Sequence, residues 1–432
     1  MAKPHLSIKQ RMERYFDRLW PICRSLMGPG FRKSLEILAE IIPMKKLRFK
    51  TGEKVFDWTV PKEWHVRDAY LIDPAGRKRA CFKTNNLHLV SYSALFRGRM
   101  SLKKLRPHLH SLPALPNAIP YLTSYYKEQW GFCLTHHELK SLPDGMYDVV
   151  VDTSLTSGNL IVGEAVLPGK SRKEVLFSTY LCHPSLANNE LSGPLVMAFL
   201  YQKIRAMKKR CWTYRFVMTP ETLGAVCYLT RRGDHLKENL IAGYQITCVG
   251  DAGKFTYKCS RRGNSIADRV AIEVLKKTWK HIILPFDPSM GSDERQYCSP
   301  GFNLPVGSLM RTMYGCFPEY HTSLDNKEFI CFDAMAKSLE VYLELVKTLE
   351  GCDLLENTVK YGEPQLGKRG LYPSLGSSKT IDAQVSAMMW CLNLADGSRD
   401  TSAIAEDSGL PFRSVLEATS VLLKTGLLKI VA

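Results

Sequence analysis

The chain has 432 residues, a formal net charge of +17, 45% hydrophobic and 23% charged residues. This is too long for one ordinary domain and has the balance of a soluble globular protein of two or three domains. No apolar run approaches the roughly 20 residues of a membrane helix, and the 13 cysteines form no Cys-x-x-Cys pair, which argues against a disulfide framework and a thiolate zinc site.

The start of the chain, Met1-Ala-Lys-Pro-His-Leu-Ser-Ile8, lacks the apolar core of a signal peptide. With reduced, mostly buried thiols, the expected location is cytoplasmic, without membrane contact. The positive charge is clustered, for example at Lys45, Lys46, Arg48 and Lys50, and at Lys203, Arg205, Lys208, Lys209 and Arg210. One reading is a solvated surface. The other is attraction to an anion: a nucleotide-linked or acidic sugar, a nucleic acid or a membrane surface. Aromatic residues do not interleave with the clusters, so nucleic acid is not the expected partner.

Two amphipathic helices are predicted first, over Ile8 to Met27 and about Phe31 to Ile42, separated by Gly28-Pro-Gly30. From Lys46 to about Leu105 the pattern becomes short β-like runs with a turn at Asp73-Pro-Ala-Gly76. This predicts a small β domain, residues 46–105, inserted into an α/β domain of residues 1–45 and 106–353. A proline-rich connector, Pro113 to Pro120, leads into an aromatic stretch ending at Cys133. Those aromatics suit a core or the wall of a cleft.

From Tyr147 to Glu350 strands and helices alternate, as in a mostly parallel sheet covered by helices. Four segments here carry chemistry. The apolar run from Leu176 ends in Cys182-His183-Pro184, and a polar loop leads to Ser192-Gly193 and a new helix. Ligands in open α/β sheets collect where such strands end; alone, His183 reads equally well as a satisfied loop histidine. The second run ends at Glu221 and the third at Asp251, while His321 lies in Pro318-Glu-Tyr-His-Thr-Ser-Leu-Asp325. Two imidazoles and two or more carboxylates at successive strand ends suit zinc, and a carboxylate left free can act as general base. Nucleophilic attack by Cys182 is not supported, because adjacent side chains on an extended chain point to opposite sides.

Residues 354–379 are rich in Gly, Pro, Ser and Lys and read as a linker. Residues 380–432 read as a winged helix: helix, turn at Gly409, second helix, stop at Gly426, short strand. Six acids (Asp382, Asp396, Asp400, Glu406, Asp407, Glu417) oppose four bases (Arg399, Arg413, Lys424, Lys429) over residues 382–432. That balance argues against phosphate contact and for packing or homo-oligomerisation.

With these segments in hand, the chain resembles the aminopeptidase-like domain proteins of bacterial polysaccharide-biosynthesis loci, relatives of zinc aminopeptidases and glutaminyl cyclases. The resemblance spans nearly the whole chain. It rests on Trp58-Thr-Val-Pro-Lys-Glu-Trp64, Asn85-Asn-Leu-His88, Ser124-Tyr-Tyr126, Trp130-Gly-Phe-Cys133, Cys182-His-Pro-Ser185, Pro220-Glu-Thr222, Gly291-Ser-Asp-Glu294 and Glu319-Tyr-His-Thr-Ser323. It implies a zinc-exopeptidase-like fold, with His183, Asp251 and His321 matching metal ligands and Glu221 matching the catalytic base. Tyr125, Tyr126, Trp130, Asp293 and Glu319 are the candidates for substrate contact.

Two positions depart from the pattern. Asn189 stands where the family has a metal-bridging aspartate, and Thr222 where the zinc aminopeptidases have a glutamate ligand. A carboxamide is neutral and a poorer zinc ligand, so Asn189 is a weak or lost ligand. The expectation is one zinc at most, or an empty site. Three readings follow: a mono-zinc hydrolase of an amide bond, with a small-molecule, peptide-like, acidic or amino-sugar substrate; a binding or scaffold protein of the same fold that has lost the chemistry; and a winged-helix regulator.

Overall fold

Four nearly uninterrupted apolar runs, Thr213–Thr219, Glu174–Tyr180, Leu240–Ile246 and Val306–Met310, lie side by side and parallel in that order. Runs of this kind are stable only when both faces are covered. Helices Ser192–Arg205, Ile266–Thr278 and Phe332–Leu349 share the core on one face, and helix Leu223–Asn239 packs on the other. The computed structural model describes residues 6–125, 127–278, 280–352, 354–371 and 383–431. Four more strands extend the sheet to eight: Asn159–Leu167, antiparallel to Thr213–Thr219, and then Lys45–Lys50 on one side, and Phe255–Lys258, antiparallel to Val306–Met310, and then His281–Leu284, parallel to Phe255–Lys258, on the other. The protein is therefore an α/β chain built on a large, mostly parallel sheet flanked by helices.

The small β module differs from the expected span 46–105 at both ends. Lys45–Lys50 pairs with Asn159–Leu167 as the edge of the main sheet. Met146–Thr156, expected within the α/β domain, is a central strand of a separate sheet ordered Lys78–Arg79, Glu63–Ile72, Met146–Thr156, Phe96–Ser101. It buries Tyr147, Val149 and Val151 in the module's own core. Alternation reveals that a strand has one buried face, but not which sheet it joins.

The C-terminal segment has the expected order: helix Ala383–Leu394, strand Asp396–Asp400, helix Thr401–Ser408, a left-handed turn at Gly409, helix Phe412–Lys424 and strand Leu428–Ile430. The linker expected over residues 354–379 starts later. Leu354–Asn357 is a strand paired with both Asp396–Asp400 and Leu428–Ile430, and residues 372–382 lie outside the described residues. This winged helix packs on the α/β part. Arg269 bonds Glu406 and Ser402 at 2.7 Å each, and one apolar core runs from Leu349 and Cys352 into Met388, Val415 and Leu422. Deletion after Gly376, a cut point outside the described residues, strips Leu354–Asn357 of both pairing strands and uncovers that core. The expected result is insoluble protein or a Tm lower by about 5 °C or more; an unchanged thermal transition contradicts the shared core.

Among the described residues no helix is long and apolar enough to cross a membrane.

Candidate active site

The segments that leave the four parallel strands converge at one end of the sheet. The turn after Tyr180 carries His183, and the turn after Thr219 carries Glu221. The long loop after Met310 carries His321. With Tyr121, Tyr125 and Ser91 from the other side, these residues line a cavity of about 350 Å³. The site thus lies in the crevice between the main sheet and the chain of the β module.

The imidazole of His183 is oriented from behind. Its Nδ1 lies 2.6 Å from Glu190 Oε2, and Nε2 faces Glu221 Oε2 at 3.5 Å. A carboxylate behind a histidine fixes its tautomer and leaves the far nitrogen as a ligand or proton donor. Burial works against charge on His183, but its polar surroundings, with the Glu190 carboxylate on Nδ1, outweigh it and push its pKa well above the ordinary value. His321 behaves in the opposite sense. Burial, then the charge of His183, brings its pKa down to about 3. Its ring centroid is 5.2 Å from that of His183, and its Nε2 is buried without a hydrogen-bond partner. Tyr121 sets its ring edge against both imidazoles, at 4.9 and 5.4 Å between centroids.

Glu221 accepts a 2.6 Å hydrogen bond from Ser292 Oγ on Oε1. Burial raises its pKa, and His183 and Ser292 offset this only in part. Thr222 and His321 both hold a positive φ, 61° and 54°. That conformation is costly for a β-branched or bulky side chain and recurs where a functional geometry is over-determined. The Cys182 thiol is 3.6 Å from His183 Nδ1, contrary to the extended-chain expectation, because the strand stops at Tyr180 and the chain bends. Nucleophilic attack remains unsupported for another reason: burial pushes the thiol up to about 11, so it stays protonated at neutral pH.

The structure does not bring Asp251 into this cavity. Its Oδ2 accepts from Asn188 Nδ2 at 2.9 Å, and its Oδ1 accepts from Gly253 N at 2.6 Å and Thr312 Oγ1 at 2.7 Å. A carboxylate so engaged acts as a loop clasp. Asn189 accepts from Tyr180 OH through Oδ1 at 3.0 Å, and its Nδ2 has no partner. The loop holding it, Ala187–Leu191, is a wide turn closed by Ser192 N–H on Ala187 O. It is pinned by Asp325, which accepts from the backbone N–H of Asn188 and Asn189. Gly193 then opens the helix because a Cβ there would meet Ile246 O at 2.4 Å.

Among the candidates for substrate contact, Tyr125 lines the cavity and Tyr126 lies outside the described residues. Trp130 does not line it: its ring stacks between His108 and Phe96, at 3.7 and 4.3 Å. Aromatic density alone does not separate a core ring from a cleft ring. Asp293 is fully buried behind Glu221, accepting from Thr219 Oγ1 and Thr222 N. Burial, then the negative charge of Glu221, raises its pKa well above the carboxylate range. Glu319 is not a lining residue; its carbonyl accepts from Thr322.

Sequence reasoning passed over Glu190, Tyr121, Ser292 and Arg24. Glu190 was open to view as the one carboxylate in the loop between His183 and Gly193. Arg24 was not. From 159 residues away its Nε donates to His183 O at 3.0 Å, fully buried.

His183 and the orphaned, neutral Nε2 of His321 line one cavity and are imidazole donors of the kind zinc takes, with the Glu221 carboxylate 3.5 Å from His183 Nε2 and left free to act as a base. At the positions where the resemblance expects further acidic ligands, Asp251 is engaged elsewhere and residues 189 and 222 are neutral. The tight cluster Cys182, His183 and Glu190 is better read as the hydrogen bond behind His183, since a 2.6 Å separation is a hydrogen-bond distance.

A family model described as a domain of unknown function, DUF4910, matches residues 13–352, and a winged helix-turn-helix model matches residues 353–430. A Clostridium acetobutylicum protein named for polysaccharide biosynthesis and an aminopeptidase-like domain is 44% identical over 416 residues, covering 96% of this chain and 95% of that one. A crystal structure of a candidate peptidase from Clostridium acetobutylicum superposes with a TM-score of 0.86 at 42% identity, over 98% of this chain and 96% of the other. The zinc aminopeptidase BSAP of Bacillus subtilis shares the fold, with a TM-score of 0.55 at 14% identity over 79% of this chain and 94% of that one.

Proposed function

The chain belongs to the DUF4910 family, and from that premise we propose that it is a metal-dependent hydrolase of amide bonds acting in surface-polysaccharide or amino-sugar synthesis. One observation carries the reading. Glu221 turns Oε2 toward His183 Nε2 at 3.5 Å while Ser292 holds Oε1 at 2.6 Å, in a cavity where His321 presents a free nitrogen. A divalent ion held by His183 and His321 would supply Lewis acidity toward a substrate carbonyl. Glu221 accepts the proton from the attacking water and returns it to the leaving amine, a task matched by its raised pKa. Glu190 keeps the His183 ring aimed into the cavity. Tyr121 and Tyr125 offer ring surface to the substrate and exclude water.

The second reading is a binding or scaffold protein, favoured by the engagement of Asp251 away from the cavity and the neutral Asn189. Untagged protein loaded with zinc and assayed on aminoacyl anilides and N-acetylated amino sugars separates the two. The expected result is at most one zinc per chain by elemental analysis and hydrolysis of one substrate class. Two zinc ions per chain contradict the one-ion site. A loaded protein inert on both classes returns the scaffold reading. Asn189→Asp is expected to raise zinc affinity, because it restores a carboxylate to a loop that is already held in place.

A further inference from the structure

A second cavity, of about 500 Å³, opens on the seam between the α/β part and the winged helix, away from every residue of the candidate active site. The α/β part contributes Lys170, Arg172 and Lys173 of the loop Pro168 to Lys173, with Trp212 beside them, and the winged-helix part contributes an apolar wall of Leu354, Ile430 and Val431. The cationic loop is built to stay in place. Lys170 N–H donates to Arg210 O at 3.0 Å, Ser171 N–H to Cys211 O at 2.8 Å, and Lys173 O accepts from Thr213 N–H at 3.0 Å. Gly169 lets the loop lie on the backbone of Trp212, where a Cβ would come within 2.2 Å of Trp212 O. Trp212 is itself fixed by a 2.7 Å bond from Nε1 to Leu349 O.

No acidic residue occurs from Pro168 to Lys173 or from Lys203 to Trp212. Two nearby carboxylates are already engaged. Glu174 pairs with Arg215 and His235, and Glu350 accepts from Cys211 N and Tyr214 OH. Lys173 gives one of its three donors to the Glu238 carbonyl. Lys170, Arg172 and Lys173 therefore face solvent at the mouth of an apolar-walled cavity without a carboxylate partner among the described residues.

We propose that this seam cavity binds a nucleoside diphosphate, free or carried as the nucleotide part of an activated sugar. The phosphates would meet Lys170, Arg172 and Lys173, and the flat base would cover the apolar wall. The volume falls in the range of small-ligand pockets. An inorganic anion would leave the apolar wall uncovered, and an uncharged ligand would leave three cations unanswered. Because the walls come from two parts of the chain, the ligand also ties the winged helix to the α/β part.

Calorimetry on the full chain tests this with UDP, ADP, inorganic pyrophosphate and a short DNA duplex as probes. UDP or ADP is expected to bind at least tenfold more tightly than pyrophosphate, with affinity falling as salt rises. Lys170→Glu combined with Arg172→Glu, both exposed side chains, is expected to weaken nucleotide binding at least tenfold. Ile430→Glu is expected to weaken it from the opposite wall, and His321→Ala to leave it intact. The proposal is overturned by absent nucleotide binding, by equal binding in the double variant, or by loss of binding in His321→Ala. Duplex binding that depends on Lys170 and Arg172 while the nucleotides do not bind overturns it in favour of a nucleic-acid surface.

Discussion

Glu221→Gln is expected to cut turnover by about 10²–10⁴-fold, the usual worth of a general base, while the fold and the bound metal persist. The amide keeps the shape of the carboxylate and can still accept from Ser292 Oγ, now 2.6 Å from Oε1. It cannot accept a proton. Loss of the negative charge also relieves Asp293, whose pKa burial and Glu221 together hold up, so no folding penalty is expected. Steady-state kinetics beside metal content distinguish the outcomes. A fall in kcat with metal retained supports the base. Unchanged turnover would move the base to Asp293 or Glu319, although Asp293 has both oxygens engaged.

Arg215→Met is expected to destabilise the protein by about 3–5 kcal/mol, the cost of leaving buried charges unpaired. Arg215 lies buried within the main sheet. It donates to Glu174 at 2.6 and 2.8 Å and to Glu164 at 2.6 Å. Methionine fills much of the volume but leaves Glu174 with only half-exposed His235, and Glu164 with Arg232 and Tyr228. Burial alone would raise the pKa of Glu164; Arg232, Tyr228 and Arg215 overcome it and bring the group from an ordinary 4.5 down to about 2. A folded-state pKa below the unfolded one stabilises above about pH 4.5, and that stability is lost as pH falls toward 2. The variant should therefore lose its acid resistance at higher pH than the parent. Urea unfolding at pH 7 and pH 3.5 checks both parts, and a loss under 1 kcal/mol at pH 7 would contradict the ion-pair account.

Much of the candidate site could be read before folding. His183, Glu221 and His321 follow the ends of three parallel strands, and the topology that gathers strand ends also gathers them. Asp251 follows a strand end too, yet Asn188 and Thr312 take up its oxygens. Local spacing places a residue at the crevice; it does not say which neighbour occupies its lone pairs. Glu190 stood in plain sequence, but its role depends on a turn that folds the loop back on His183.

By itself, the sequence determined the class of fold, the winged-helix order and the end of the sheet where chemistry gathers. Each of these follows from local periodicity, turn residues and the handed rules of strand connection. Only the tertiary structure decided that Met146–Thr156 leaves the main sheet, that Leu354–Asn357 joins the winged helix, and that Arg24 reaches His183 from the first helical region. Those outcomes depend on contacts between segments tens to hundreds of residues apart. Such contacts are set by the shape of apolar faces and the satisfaction of buried polar groups, and neither leaves a mark within any one segment.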